Sequence, residues 1–410
     1  MYVKRNLEKE LTNFIDVPEI LSIVGARQVG KTTLINNILH NIKNKKIIKL
    51  TLDNIQILDE FVNDIDSFIE LYIKDNDIIF IDELHYAKES GRILKYIFDT
   101  TKNKKIIISG SSSVDLSIQS LKYLVGRVLN FELFSFSFYE FLKANDNSLS
   151  KLYISNKKYN PPILKKLNKY LEEYLVYGGY PRVVLEKDIS IKQKILLNIY
   201  NTYALREIKE LEDIKDDFKL HRLIKSLSLQ IGNLIDYSEL KNISEYYHEQ
   251  LKHILNILEK TYVCKLMPPY YTNKRTELVK RKMIYFYDLG LRNSVLNDFT
   301  LDRNELGAMK ENFIVGELLR EGFDIKYWRT QTGSEVDIII DKGKEIIPIE
   351  SKSNLKNNNI TRSLLSFIEK YNPKEAYVLS NDFESERIIK NTKIIFLPFV
   401  KFLNIIPNLK

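Results

Sequence analysis

Residues 20–33 read ILSIVGARQVGKTT, an apolar run of strand length that enters a glycine-punctuated loop ending in lysine and threonine. The LINNILHNI that follows carries apolar residues at helical spacing. Strand, loop and helix in this order form the setting in which a G-x-x-x-x-G-K-[ST] pattern binds phosphate. Gly25 and Gly30 let backbone N–H groups turn inward around phosphate oxygens, and the helix starting near Lys31 adds its positive end. Lys31 is placed to neutralise β- and γ-phosphates and Thr32 to offer a hydroxyl to Mg2+, with Thr33 beside them in the nucleotide cradle. ATP and Mg2+ are the expected cofactors of this α/β core.

Two more runs belong with it. DIIFIDELH (77–85) reads as a strand buried on both faces that ends in two acids, as expected at the carboxyl edge of a parallel sheet. Asp82 is expected to hold Mg2+ through water, and Glu83 to orient and deprotonate the attacking water. KKIIISGSSS (104–113) brings Ser109 and Ser111 to the same edge, where a hydroxyl senses the γ-phosphate or simply turns the chain. Positive charge at the leaving phosphate is expected from Arg127 in YLVGRVLNF, serving a neighbouring subunit; the alternative is a surface salt bridge.

GARQVGKTTL, IIFIDELH, IISGSSS, LVGR and FSFYEF (136–141), in this order, resemble the prokaryotic AAA+-type ATPases that carry a DUF4143 region. These are related to the archaeal ATPase and STAND branch of P-loop proteins, and the resemblance covers nearly the whole chain. Relatives use a Gly-x-Pro element in a helical lid to touch the adenine. The resemblance therefore implies nucleotide-binding roles for Gly179 and Pro181 of YLVYGGYPRVV, with Arg182 as a phosphate sensor. Taken alone, GGYP is a turn between helices.

At 410 residues the chain is too long for one ordinary core. Four segments are expected: an AAA+-type ATPase core over 1–143, a helical lid over 144–216, a winged-helix module over 217–300 and a nuclease-like domain over 301–410. A single cysteine, Cys264, excludes an internal disulfide and a cysteine zinc cage and suits a cytoplasmic protein. No apolar run is long enough to span a bilayer, and MYVKRNLEKELT has no signal-like core, so no membrane is expected. The net charge of +8 leans toward an anionic partner.

The middle supplies a candidate for that partner. FKLHRLIKSLSLQIG, DYSELKNIS and EYYHEQLKHILNILEKTYV read as three helices, and VCKLMPP and RKMIYFYD as two strands of a hairpin. Three helices and a hairpin make a winged helix, whose third helix offers Glu245, Tyr246, His248 and Lys252 to a groove. The hairpin tip, 271–282, holds Lys274, Arg275, Lys280, Arg281 and Lys282 against the single Glu277. Such a tip neutralises phosphates without reading bases. The alternative is a protein–protein spacer.

The end of the chain reads helix (305–322), three short strands in meander order, helix and two strands, the core layout of the PD-(D/E)xK nuclease-like fold. Its acids fall on the matching elements: Glu317 on the helix, Asp337 on the second strand, Glu350 and Lys352 on the third. Positions i and i+2 of a strand share a face, so Glu350 and Lys352 point the same way. Asp337 and Glu350 are expected to share Mg2+, with Lys352 positioning a water or stabilising charge, Glu317 completing the shell and Glu335 a further ligand or a solvated neighbour.

The expected whole is an α/β protein: a P-loop AAA+-type ATPase core with helical lid, a winged-helix module and a C-terminal PD-(D/E)xK nuclease-like α/β domain. It is expected to couple ATP hydrolysis to movement or clamping of DNA as a homo-oligomeric ring or partial ring. Branched, Holliday junction-like DNA is the specific form, since archaeal Holliday junction resolvases share the nuclease-like fold. Two alternatives are an ATP-dependent Mg2+ nuclease and a STAND-like regulatory switch that binds a protein partner.

Overall fold

The computed structural model describes residues 2–87, 89–110, 123–155, 159–205, 208, 217–301, 305–352 and 354–410. The chain folds as two compact units, Met1–Phe136 with Lys260–Tyr262 and Ser137–Glu259 with Val263–Lys410.

The first unit is built on five parallel strands: β1 (Ile20–Val24), β2 (Ile47–Thr51), β3 (Ile78–Asp82), β4 (Lys105–Gly110) and β5 (Val128–Glu132). Their order is β2-β3-β4-β1-β5. Every residue of β1, β3 and β4 is buried, which is why these three runs are mostly apolar. The edge strands β2 and β5 are half-buried and mixed in composition, so they escape a search for apolar runs. One face of the sheet packs Val24, Ile79, Ile81 and Ile108 against Phe61, Phe68, Leu94 and Ile97. The parallel registers Val24↔Gly110 and Ile81↔Ile108 bring the ends of β1, β3 and β4 to one edge. Gly25 leaves β1 so close to the chain after β5 that a Cβ there would lie 2.1 Å from the Leu133 carbonyl oxygen.

The second unit begins at Ser137, which closes a capping box with Glu140. Phe138 turns into this unit, edge-to-face with Tyr153, Tyr174 and Phe313. The first compact unit closes at Phe136. The later segments, expected as three domains, share one unit. The reason is the helix Leu289–Leu296, buried from Leu289 to Val295, which packs on Pro161–Tyr177, Ile189–Ile199 and Asp217–Leu229 together. Asp217–Leu229, Tyr237–Ser244 and His248–Lys260 are helices, followed by the antiparallel β6 (Cys264–Met267) and β7 (Met283–Phe286). Leu234 bridges antiparallel to Met283, adding a third short extended segment. Between β6 and β7, where sequence suggests a plain polar turn, Asn273 caps a short helix, Lys274–Val279.

Helix Leu306–Arg320 then leads to six strands: β8 (Ile325–Arg329), β9 (Glu335–Asp341), β10 (Ile346–Ser351), β11 (Glu375–Ser380), β12 (Ser385–Ile389) and β13 (Thr392–Pro398). Their order is β12-β13-β11-β10-β9-β8. β8, β9 and β10 form the antiparallel meander, and β10, β11 and β13 run parallel. β12, largely exposed at the edge, is the strand that apolar patterning misses. Trp328, Val336, Ile339, Phe367 and Phe396 centre its core.

Two helices cross closely at Gly290, where a Cβ would stand 2.2 Å from the Tyr177 carbonyl oxygen. Gly290→Ala is expected to cost about 1–3 kcal/mol or more through overpacking. Gly307→Ala, with nothing within 4 Å of the added carbon, should gain about 0.5–1 kcal/mol from the lower entropy of the unfolded chain. Urea midpoints of the two variants check the contrast.

Candidate nucleotide site and acidic cluster

In the first unit the P-loop wraps a buried lysine. Gly30 caps helix Lys31–His40 at φ 96° and Gln28 stands at φ 62°. Lys31 Nζ donates to the Gly25 and Ala26 carbonyls, both at 2.9 Å, so the loop's own oxygens hold the amine. The Asp82 carboxylate accepts from the Thr32 hydroxyl at 2.7 Å, the Ser109 hydroxyl and the Glu83 N–H at 3.1 Å. Thr32 and Asp82 thus form a pair of hard oxygen donors fitted to Mg2+. Ser109, expected either to sense phosphate or to turn the chain, gives its hydroxyl to Asp82. Ser111 lies outside the described residues. Thr33 is exposed on the helix's first turn.

Glu83 adopts φ 56°, a conformation costing a non-glycine residue about 1–3 kcal/mol and found where function demands it. Its Oε2 lies 3.1 Å from His85 Nδ1, and His85 Nε2 lies 3.5 Å from Arg27 Nη2. The His85 ring holds the Glu83 carboxyl below its ordinary range against the opposing effect of burial, with Lys31 and Arg27 adding to it. His85 and Arg27 escaped the sequence reading, although both lie inside motifs it quotes. So did Arg5, which donates to the Val29 carbonyl of the loop at 2.8 Å and to Phe134 O at 2.7 Å.

Arg127 sits away from this site. Val128 pairs with Ile20, so Arg127 precedes the amino edge of the sheet while the P-loop leaves its carboxyl edge. Five strand residues separate the edges by about 16 Å. Its guanidinium pairs with Asp99 at 2.9 and 3.4 Å. Gly179 and Pro181 belong to the second unit, as a helix–helix turn. The Gly179 N–H donates to Asp288 at 2.8 Å, Pro181 opens the helix Pro181–Val184 and Arg182 follows it there.

In the second unit a set of carboxylates converges, with one substitution in the expected cast. Asp337 on β9 accepts from the Ser351 N–H at 2.7 Å, and Glu350 on β10 accepts from the Thr361 hydroxyl at 2.6 Å. The second Glu350 oxygen is buried without a partner. The helix acid beside them is Glu311, which accepts from the Tyr285 hydroxyl of β7. Burial pushes Glu311 up to about 8, reinforced by Asp337 and Glu335 and opposed by Tyr285 and Lys352. Burial likewise lifts Glu350 to about 7, with Thr361 and Lys352 pulling down and Asp337 pushing up. Asp337 and Glu335 are raised too, chiefly by burial, and the charge of Lys352 acts on all four acids.

Glu317 is a correction. Six residues beyond Glu311, it faces about 240° around the helix axis. It accepts from the Phe138 N–H at 3.2 Å and lies 3.4 Å from Arg320, and burial raises it to about 7. Among the described residues, no group of three or more His, Cys, Asp and Glu stands as a ready metal cage. The donor chemistry of Asp337 and Glu350, with an orphaned Glu350 oxygen, nonetheless suits a hard cation.

The basic segment before β7 is partly neutralised. Lys274 pairs with Asp341 at 2.7 Å and Glu277 at 3.2 Å, and Arg281 pairs with Asp236 at 3.0 Å. Arg275 and Lys280 are exposed and Lys282 half-buried. Of the four residues expected to face a groove, Glu245 and Tyr246 precede the helix His248–Lys260. Glu245 pairs with Arg222 at 2.6 Å and Tyr246 is buried, while Lys252 pairs with Glu249 at 3.3 Å and His248 opens the helix.

Residues 17–142 match the AAA domain family, 168–302 match the domain of unknown function DUF8612, and 306–400 match the domain of unknown function DUF4143. Over 416 residues the chain is 25% identical to an uncharacterized protein of Haemophilus influenzae, spanning 97% of this chain and 98% of that one. An uncharacterized protein of Methanocaldococcus jannaschii is 26% identical over 367 residues, 85% of this chain and 77% of its own. Among solved structures, the Walker-type ATPase of Pyrococcus abyssi is similar at a TM-score of 0.44 with 15% identity, covering 72% of this chain and 96% of that one. The chain thus carries a region that matches the AAA domain family and, after it, one that matches DUF4143. Among the described residues, no helix is long and apolar enough to cross a membrane.

The raised carboxylates set a pH dependence. Glu311 and Glu350 hold their protons more tightly folded than at their ordinary 4.5. The stability they contribute is complete below that value and is lost as pH rises through about 7 to 8. With chelator present, the thermal midpoint should fall between pH 5 and 8, and Glu350→Gln should flatten the fall. Added Mn2+ should raise the midpoint more at pH 8 than at pH 6, where protons compete for the same oxygens.

Proposed function

We propose that this chain is an ATP-hydrolysing AAA-type protein that binds and acts on DNA, four-way junctions in particular, and works as a ring or partial ring of identical copies. The observation that carries the DNA half is the pair of strand acids before Lys352: Asp337 on β9 bound to the Ser351 N–H and Glu350 on β10 with one oxygen buried and unpartnered. It lies in a unit that also holds three helices, the β6–β7 hairpin and a basic segment. That combination supports a winged helix joined to a PD-(D/E)xK nuclease-like domain.

At the nucleotide, Lys31 exchanges its loop carbonyls for phosphate oxygens, and the Thr32–Asp82 pair opens to hold Mg2+. Glu83, kept ionised beside His85, orients and deprotonates water. Ser109 fixes the Asp82 carboxylate. Arg127, on the far edge of the sheet, serves the phosphates of an adjacent copy. Gly179 and Pro181 are kept as nucleotide-binding residues, as the resemblance implies. Lys274, Arg275, Lys280, Arg281 and Lys282 track the DNA backbone.

In the acidic cluster, Asp337 and Glu350 hold the cation, Glu311 takes the position expected of Glu317, and Lys352 stabilises charge on the phosphate. When bound, Mg2+ polarises phosphoryl oxygens and acidifies a coordinated water. A second reading, Mg2+-dependent cleavage of the bound DNA, is favoured by the buried, unpartnered Glu350 oxygen.

Glu83→Gln should lower the ATPase kcat by about 10²–10⁴-fold while leaving nucleotide affinity near wild type, measured by phosphate release and by binding of a labelled nucleotide. Equal turnover in the variant would remove Glu83 from the reaction. Gel shifts should show tighter binding to a four-way junction than to a linear duplex of the same length; equal shifts would remove the junction preference. Under Mn2+, any cleavage should disappear in Glu311→Gln and Asp337→Asn and persist in Glu317→Gln. The reverse pattern would restore Glu317 to the site.

A further inference from the structure

The short helix Lys274–Val279 between β6 and β7 presents Leu278 and Val279, 82% and 81% exposed, side by side at its end. Two neighbouring apolar side chains on a loose loop would fold back onto the protein. Here the mount prevents it. Glu277, the residue before them, is buried, where Lys326 reaches it at 3.0 Å, Lys274 at 3.2 Å and the Tyr271 N–H at 3.0 Å. Asp341 links the same two lysines, each at 2.7 Å. On the far side, the Arg281 carbonyl accepts from the Tyr327 hydroxyl at 2.5 Å, and the Lys282 carbonyl accepts from the Ile235 N–H at 2.9 Å. Anchors on both flanks therefore hold the apolar pair outward.

The surroundings of the pair indicate what it meets. Arg275 and Lys280 flank it exposed, and the segment's single acid, Glu277, is turned inward. An apolar point ringed by cations suits an anionic partner with an apolar interior. Both a base stack and a lipid surface have that chemistry. The pair is only two residues wide and continuous with the hairpin assigned to the DNA backbone, which favours the base stack. Leucine-type side chains pushed between base steps unstack and kink a duplex by about 20–90°.

We infer that Leu278 and Val279 form a wedge that enters duplex or junction DNA between bases while Arg275 and Lys280 hold the phosphates on either side. This rests on the DNA reading above and adds deformation of the DNA to it. The test uses the full chain, a short duplex labelled at both ends for energy transfer, and 2-aminopurine at the binding site. Wild type should bend the duplex by at least about 20° and raise the 2-aminopurine emission. Leu278→Ser with Val279→Ser should bind with an unchanged salt slope yet leave the duplex straight and the emission flat. Arg275→Ala with Lys280→Ala should lower the slope of log affinity against log salt by about 0.9 per lost contact.

Wild-type binding without bending or emission change overturns the wedge alone, as does a serine variant that bends DNA like wild type. No binding to any DNA overturns the DNA reading together with it. Straight DNA accompanied by sedimentation with phosphatidylserine vesicles, lost in the serine variant, overturns the wedge in favour of a membrane surface.

Discussion

A single carboxylate organises the nucleotide half of this protein. Asp82 ends β3, and the donors that saturate it come from the P-loop helix through Thr32, from β4 through Ser109 and from its own chain through the Glu83 N–H. The three segments are far apart in sequence and meet only because parallel strands bring their ends to one edge. Once Asp82 is held, the Thr32 hydroxyl has a defined direction and the backbone at Glu83 is turned into its left-handed conformation. That turn aims the Glu83 side chain at His85, whose ring keeps it ionised.

The second unit uses carboxylates in two contrasting ways. Asp288 is a structural acid: it takes the Gly179 N–H and caps the helix Leu289–Leu296, locking the crossing that merges the helical segments into one core. Asp337, Glu350, Glu335 and Glu311 instead repel one another in a partly water-free place, and each is pushed up in pKa. A fold that needed these acids only for stability would gain by replacing them, since buried like charges cost more than apolar side chains of similar size. The proposed cation would bring the positive charge that such a set of acids lacks.

Helix Leu306–Arg320 shows where pattern reading reaches its end. A helix with one wet face announces its orientation through its apolar stripe, but this one is buried from Asn312 to Leu318 and at Met309 and Lys310. Glu311 and Glu317 both sit among core residues, and nothing local says which acid meets β9 and β10. Packing decides: the Tyr285 hydroxyl receives Glu311, while Glu317 turns to the Phe138 N–H and Arg320. Arg127 teaches the same lesson, since the strand register that puts it on the far edge of the sheet is a long-range property.

What the sequence by itself determined was everything set by short-range backbone geometry. Gly25 to Thr32 form a phosphate loop because eight consecutive residues suffice for it, and Glu350 and Lys352 share a face because a strand has a period of two. The fully buried strands β1, β3 and β4 and the C-terminal meander were legible for the same reason, since burial writes itself into apolar runs. The tertiary structure alone decided which helix acid joins the cluster, that Ser109 serves Asp82, that His85 and Arg5 attend the P-loop, and that Glu277 is pulled inward. Those outcomes depend on the rotation of helices about their axes and the register between distant strands, which are fixed by packing and leave no local periodicity to read.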